Sequence, residues 1–198
     1  MRVADLPKHA VLLLASFLAL VPTIFMISTA LKTDEEYALD KIGFPAMPVL
    51  ENFRAVLVDS PFLWWMLNSV ILVAGAVALS TVVSCLAAYA IARMEFVGRD
   101  KLLAVSTSLM AVPPIVMIVP LFVLYSRIGL ISTYEGAILI YAGLITPFSV
   151  YLLTTFFRTV PNEIFEAARV DGAGDFRILT RIVIPLSAPA LVTLLVVN

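Results

Sequence analysis

Long apolar runs alternate with short polar breaks along this chain. The runs cover about 9–31, 66–92, 102–125 and 136–157, and none contains Asp, Glu, Lys or Arg. A fifth begins near Val183 and continues to Asn198. A helix rises ~1.5 Å per residue, so about 20 residues cross the ~30 Å hydrocarbon core of a bilayer. The first four runs meet that length. They are continuous and lack the alternating segments of about ten residues that build a barrel wall. In lipid, an unbroken apolar run satisfies its own backbone only as a helix. The pattern predicts an all-α integral membrane protein, a polytopic helical bundle read as one transmembrane domain over 1–198. The fifth run, 183–198, has no polar flank and is expected to be an incomplete span of a truncated chain.

Composition agrees with that class. Hydrophobic residues make up 62% and charged residues 14%, against about 25% charged in soluble domains. The net charge of −1 leaves no basic surface for nucleic acid. The single cysteine, Cys85, sits in the middle of an apolar run and reads as a small buried packing residue. Arg2, Lys8 and the small residues Ser28-Thr29-Ala30 give the first run some features of a signal peptide. Its apolar stretch is longer than the roughly 7–15 residues of such a core, so it reads as a retained anchor.

Positive residues set the orientation. With the N-terminus inside, the inner segments hold Arg2, Lys8, Arg93, Arg99, Lys101, Arg158, Arg169, Arg177 and Arg181. The outer ones hold Lys32, Lys41, Arg54 and Arg127. The N-terminus is therefore expected to be cytoplasmic, and the polar stretch 158–182 faces the same side. The outer loop from about 32 to 65 is acidic, with Asp34, Glu35, Glu36 and Asp40, and ends at Trp64 and Trp65, where an interfacial aromatic belt is expected.

Inside the second run, Ala76, Ser80, Ser84 and Ala88 recur every four residues. Such a stripe lets a neighbouring helix approach closely; a pore lining is the second reading. Proline interrupts every run but the second, at Pro22, Pro113, Pro114, Pro120, Pro147, Pro185 and Pro189. Each removes a helical hydrogen bond, and the freed carbonyls require protein or a water-filled cavity. Asn68, Ser108, Tyr141 and Thr146 are candidate translocation-path residues. No Asp, Glu, Lys or Arg lies inside a run, which argues against a proton- or sodium-driven carrier. No phosphate-binding G-x-x-x-x-G-K-[ST], H-E-x-x-H, C-x-x-C or G-x-S-x-G occurs. The only histidine, His9, stands at a membrane boundary. No metal-binding set and no catalytic constellation emerges, so the chain is not expected to be an enzyme.

The stretch EAARVDGAGDFRILTRIVIP, Glu166 to Pro185, remains. Thr159 is expected to cap a helix with Pro161 in its first turn and Glu163 complementing the helix dipole. Gly172 would end that helix. Asp175 would cap a second, with Phe176, Ile178, Leu179 and Ile182 on its apolar side. Ala167 and Ala168 let another surface come close, and Glu166 suits a basic partner. An amphipathic helix on lipid headgroups fits the same residues.

Glu166-Ala167-Ala168, Gly172 four positions on, and Ile182-x-Ile184-Pro185 resemble the coupling loop of permease subunits of binding-protein-dependent ABC importers. Ile184 stands where that pattern has Leu. Asn68-Ser69, Ala88-Tyr89-Ala90-Ile91-Ala92-Arg93, Phe96-x-Gly98-Arg99, Ile118-Val119-Pro120-Leu121-Phe122, Gly129-Leu130, Pro161-x-Glu163 and Asp171-Gly172-Ala173 extend the resemblance to the carbohydrate, maltose-permease-like branch. The resemblance implies six helices in a full subunit, of which five are present here. It implies a second permease subunit, two cytoplasmic ATP-binding subunits and an extracytoplasmic solute-binding protein. ATP and magnesium would bind those ATPase subunits, and this chain would carry no cofactor. It implies a coupling site of Phe165, Glu166, Ala167, Ala168, Asp171, Gly172, Ile182 and Pro185, with Glu166 paired to a basic ATPase residue and Phe165 or Ala168 seated in the ATPase groove. A non-transporting membrane scaffold is the alternative reading.

Overall fold

A computed structural model describes residues 6–197 of the chain; the expectations placed on Arg2 and Asn198 lie outside the described residues. All regular structure among the described residues is helical. Contacts divide the chain into two compact units at Leu67/Asn68.

In the first unit, α1 (Leu6–Ala30) contains Pro22 and presents exposed leucines, valines and phenylalanines along its length. The loop after it folds back on its end. Asn52 donates to the carbonyls of Ala30 (3.0 Å) and Lys32 (2.8 Å), and the Val49 N–H donates to that of Leu31 (2.9 Å). These bonds occupy carbonyls that a helix end leaves without partners. Lys32 is buried, donates to the Asp40 carbonyl at 2.5 Å and lies 3.9 Å from its carboxylate. Asp40 Oδ1 accepts from the N–H groups of Gly43 and Ile42. Those two bonds, aided by Lys32, hold its carboxyl below the ordinary carboxylate range. Two short helices, α2 (Asp34–Leu39, capped by Thr33) and α3 (Glu51–Leu57), complete the loop.

The second unit is built on α4 (Phe62–Arg93), taken here from Asn68 onward, and α7 (Tyr134–Thr159). Three sets of bonds join them. The Tyr134 hydroxyl donates to Asn68 Oδ1 at 2.6 Å, and the Thr146 and Ser80 hydroxyls lie 3.0 Å apart. At the far end, Arg93 reaches the carbonyls of Phe157 and Val160. The offset in sequence is 66 residues at both of the first two, so the helices run parallel. Ala76, Ser80, Ser84 and Ala88 are all buried, and Gly75 admits Ile138, whose Cδ1 lies 2.6 Å from where a Cβ would stand. The small-residue stripe is a packing face.

Between them the third run is not one straight helix. It forms α5 (Arg99–Leu109) and α6 (Pro114–Ile128), bent by 100°. Pro113 and Pro114 remove two successive N–H donors and push the residue before them out of helical geometry. Because α4 and α7 are parallel, the chain between them must return to the starting side, so α5–α6 is a broken crossing and not a re-entrant hairpin. Gly129, with φ of +74°, closes α6. The last run is bent as well. A helical segment, α8 (Asn162–Val170), leads into α9 (Asp175–Ile178), a π-helical turn (Leu179–Val183) and α10 (Ile184–Leu186). The axis then turns by 74° at Ser187 into α11 (Ala188–Val197). Three helices, α1, α4 and α7, are long and apolar enough to span a membrane, and the two bent pairs bring the number to five. The described helices are those of a multi-pass membrane protein.

Candidate coupling site

The core of the second unit gathers at the α4 and α7 C-terminal ends, and α8 is part of it. Asn162–Val170 contains Glu, two Ala and Arg, all good helix formers. Phe165 and Ala168, three apart, are buried; Glu166, Ala167, Arg169 and Val170 are exposed. The Phe165 ring lies 6.5 Å from that of Tyr89, and the Arg93 guanidinium carbon stands 4.2 Å above its centroid. That is a cation–π contact under partial desolvation. Arg93 also donates to Asn162 Oδ1 at 2.6 Å. Its bonds to Phe157 and Val160 satisfy carbonyls at the C-terminus of α7, where a cation also complements the dipole.

The end of α8 is a Schellman closure. Gly172 takes φ of +77°, its N–H donates to Arg169, and the Ala173 N–H donates to Ala168 at 2.9 Å. Asp171 is the C-cap residue before it. Beyond the turn, one oxygen of Asp175 accepts from the Tyr89 hydroxyl at 2.9 Å and from Arg169 at 3.1 Å. The π-helical turn falls immediately before Pro185, whose ring excludes the carbonyl four residues back. π turns are rare and frequently accompany functional sites.

Several local expectations change in this geometry. Phe165 packs on Tyr89 and Arg93 of the chain's own α4 and Ala168 is buried in the same core, so neither is free to seat in a partner's groove. The residues that project are Val170, 87% exposed, and Phe176, 72% exposed. Phe176 is thus not on the apolar side of its helix, whereas Ile178 and Leu179 are buried and Ile182 is half-buried. Thr159 ends α7 and donates to the Phe156 carbonyl, leaving Pro161 at the α8 cap position. Asp175 does not cap α9; Gly174 holds that place, and the carboxylate is turned to Tyr89 and Arg169. Glu166, Ala167, Asp171, Gly172 and Pro185 are exposed. Tyr89 and Arg93 were legible only as part of a family pattern. Their spacing of four places both on one face at the end of an apolar helix, the one local signal of a shared task.

The candidate path residues are not gathered at one place. Asn68 is held by Tyr134, and Ser108 donates to Ala104 within its own helix. Tyr141 lines a cavity of about 690 Å³ between α6 and α7. Thr146 reaches Ser80 and the Ala142 carbonyl and borders a cavity of about 530 Å³ with Ser106 and Pro147. Five positions apart on one helix, Tyr141 and Thr146 point about 140° from each other.

Comparison with known proteins places this architecture. A family described as "Binding-protein-dependent transport system inner membrane component" matches residues 80–198. A putative ABC transporter permease from Caldicellulosiruptor is 37% identical, over 92% of this chain and 66% of that protein. The diacetylchitobiose uptake system permease NgcG of Streptomyces coelicolor is 33% identical, over 96% of this chain and 63% of its own length. The trehalose/maltose transport system permease MalG of Thermococcus litoralis is 35% identical, over 90% and 65%. The chain thus spans just under two thirds of the length of these relatives. In structure it resembles a chain of a bacterial ABC transporter involved in the import of the acidic polysaccharide alginate. That likeness has a TM-score of 0.88 and 24% identity, covering 98% of this chain and 69% of that one.

Proposed function

Because this chain belongs to the family of binding-protein-dependent transport system inner membrane components, we propose that it is a membrane-spanning permease subunit of an ATP-driven importer. Its solute is a sugar or a related compound, a class supported by relatives named for diacetylchitobiose and for trehalose and maltose uptake. Those relatives are permeases, which does not favour a non-transporting scaffold.

One observation carries the reading: the Glu166-Ala167 strip and Val170 stand exposed on a helix whose opposite face is buried in the bundle. Such an element presents a fixed surface to a separate protein and transmits force inward. The nine-to-four distribution of Lys and Arg supports a cytoplasmic position for it, with the N-terminus on the same side. Two ATP-binding subunits, holding ATP and magnesium, grip this loop here and its counterpart on a second permease. Glu166 pairs with a basic ATPase residue, and Val170 and Phe176 supply apolar contact. Closure of the ATPases draws the loops together, and the bundles rock between inward- and outward-facing states as rigid bodies. A solute-binding protein delivers cargo at the outer face.

Glu166→Lys tests the docking. The variant is expected to insert into the membrane normally and to lose co-purification with the ATP-binding subunits by roughly tenfold or more, the scale of a reversed charged contact. Undiminished co-purification rejects the assignment.

A further inference from the structure

We propose that Tyr89 and Arg93 are positioning residues that clamp both helices of the coupling loop to α4, so that α4 moves with the loop as one body. The inference rests on the importer reading, and it concerns a helix that is not adjacent to the loop along the chain. Val160 and Pro161 join α8 directly to α7, and the π-helical turn joins α9 to α11. A displacement of the loop reaches those helices through the backbone. Arg93 is 69 residues from its α8 partner, Asn162, and Tyr89 is 86 residues from Asp175. Only side-chain contacts make α4 follow.

Those contacts are placed at the start of each of the loop's two helices. Arg93 holds the start of α8 through Asn162 and the α7 terminus through the Phe157 and Val160 carbonyls. Tyr89, one turn earlier on the same face, holds the start of α9 through Asp175. Arg169 at the end of α8 shares that carboxylate and braces the turn between them. Phe165 fills the space between, against the Tyr89 ring and beneath the Arg93 guanidinium. None of these bonds uses the exposed face of Glu166, Ala167 and Val170. The clamp and the docking surface are therefore separable. Further along, the Ser80–Thr146 and Asn68–Tyr134 contacts tie α4 to α7, so the moving body extends to the other side of the membrane.

The test uses the assembled importer with its ATP-binding subunits, in vesicles, so that no knowledge of the solute is required. Cys85→Ala removes the only native thiol. Spin labels go on Val82 of α4 and Arg177 of α9, both exposed. The distance between them is measured without nucleotide and with magnesium, ATP and vanadate. In the otherwise unaltered subunit it is expected to stay the same in both states. In Tyr89→Phe/Arg93→Gln it is expected to shift and broaden on nucleotide binding, while the ATPase subunits still co-purify. Arg93→Lys, which keeps the cation over Phe165 and one hydrogen bond, should restore most of the fixed distance. A distance that changes with nucleotide in the unaltered subunit overturns the clamp, and so does one that stays fixed in the double variant. If the double variant does not assemble, Tyr89→Phe alone carries the same test, because it removes a single oxygen. Loss of co-purification in Tyr89→Phe also overturns the proposal, since the hydroxyl would then serve docking. Failure of the unaltered subunit to hold any ATPase rejects the importer reading itself.

Discussion

Phe165 and Val170 show how little separates a residue that holds a surface in place from one that forms it. Both are apolar, and both lie in a helix of nine residues. One is 4% exposed and the other 87%. Five positions place them about 140° apart, and the direction in which α8 lies on α4 decides which is which. Gly172 acts at the same scale through its backbone. A Cβ there would meet nothing within 4 Å, yet φ is +77°. Alanine would therefore suffer strain without collision, roughly 1 kcal/mol. Gly172→Ala is expected to weaken ATPase co-purification by roughly fivefold. Gly174→Ala is the control: its φ of −75° suits any residue and its surroundings are open, so binding should not change. Equal effects of the two would show that the left-handed turn is not what places the loop.

Two parallel helices and two bent ones compose the second unit, and each owes its form to small or cyclic residues. The stripe from Ala76 to Ala88 lets α4 lie close on its neighbours, and Gly75 makes room for Ile138 at a point where a Cβ would come within 2.6 Å of it. Gly75→Leu should overpack this contact and lower stability by about 1–3 kcal/mol. Adding Ile138→Ala should recover much of that loss, a coupling read by thermal unfolding in detergent. Strict additivity of the two changes would refute the close approach. At Pro113-Pro114 and around Ser187 the backbone bends instead. Near the first bend Ser106 donates to the Pro147 carbonyl at 3.4 Å, whereas the Ser187 hydroxyl at the second is buried without a hydrogen-bond partner.

For the whole molecule, the parallel course of α4 and α7 has a topological consequence. The turn before Tyr134 and the loop after Thr159 are at opposite ends of α7, and α7 is long enough to span. In a Cys85→Ala background, Ile131→Cys should be labelled by a membrane-impermeant thiol reagent from outside intact cells. Val170→Cys should be labelled only after the inner face is opened. Labelling of Val170→Cys from outside would reverse the orientation and leave the loop with no ATPase to meet.

Much of this protein was legible in its residues because lipid imposes a local rule. A run of about 20 apolar residues in hydrocarbon must be helical, whatever surrounds it. The number of runs, the all-helical class, the packing stripe and the positive φ at Gly172 follow from nearest neighbours along the chain. The order Glu166-Ala167-Ala168…Gly172 marked the loop only through its resemblance to a family pattern. Other features required the folded chain, because they join residues far apart in sequence. The clamp on Asp175 and Asn162, the inward face of Phe165, the burial of Lys32 under its own loop and the parallel register of α4 with α7 are all of this kind. A spacing of four can say that Tyr89 and Arg93 share a face. Only packing across more than sixty residues decides what that face holds.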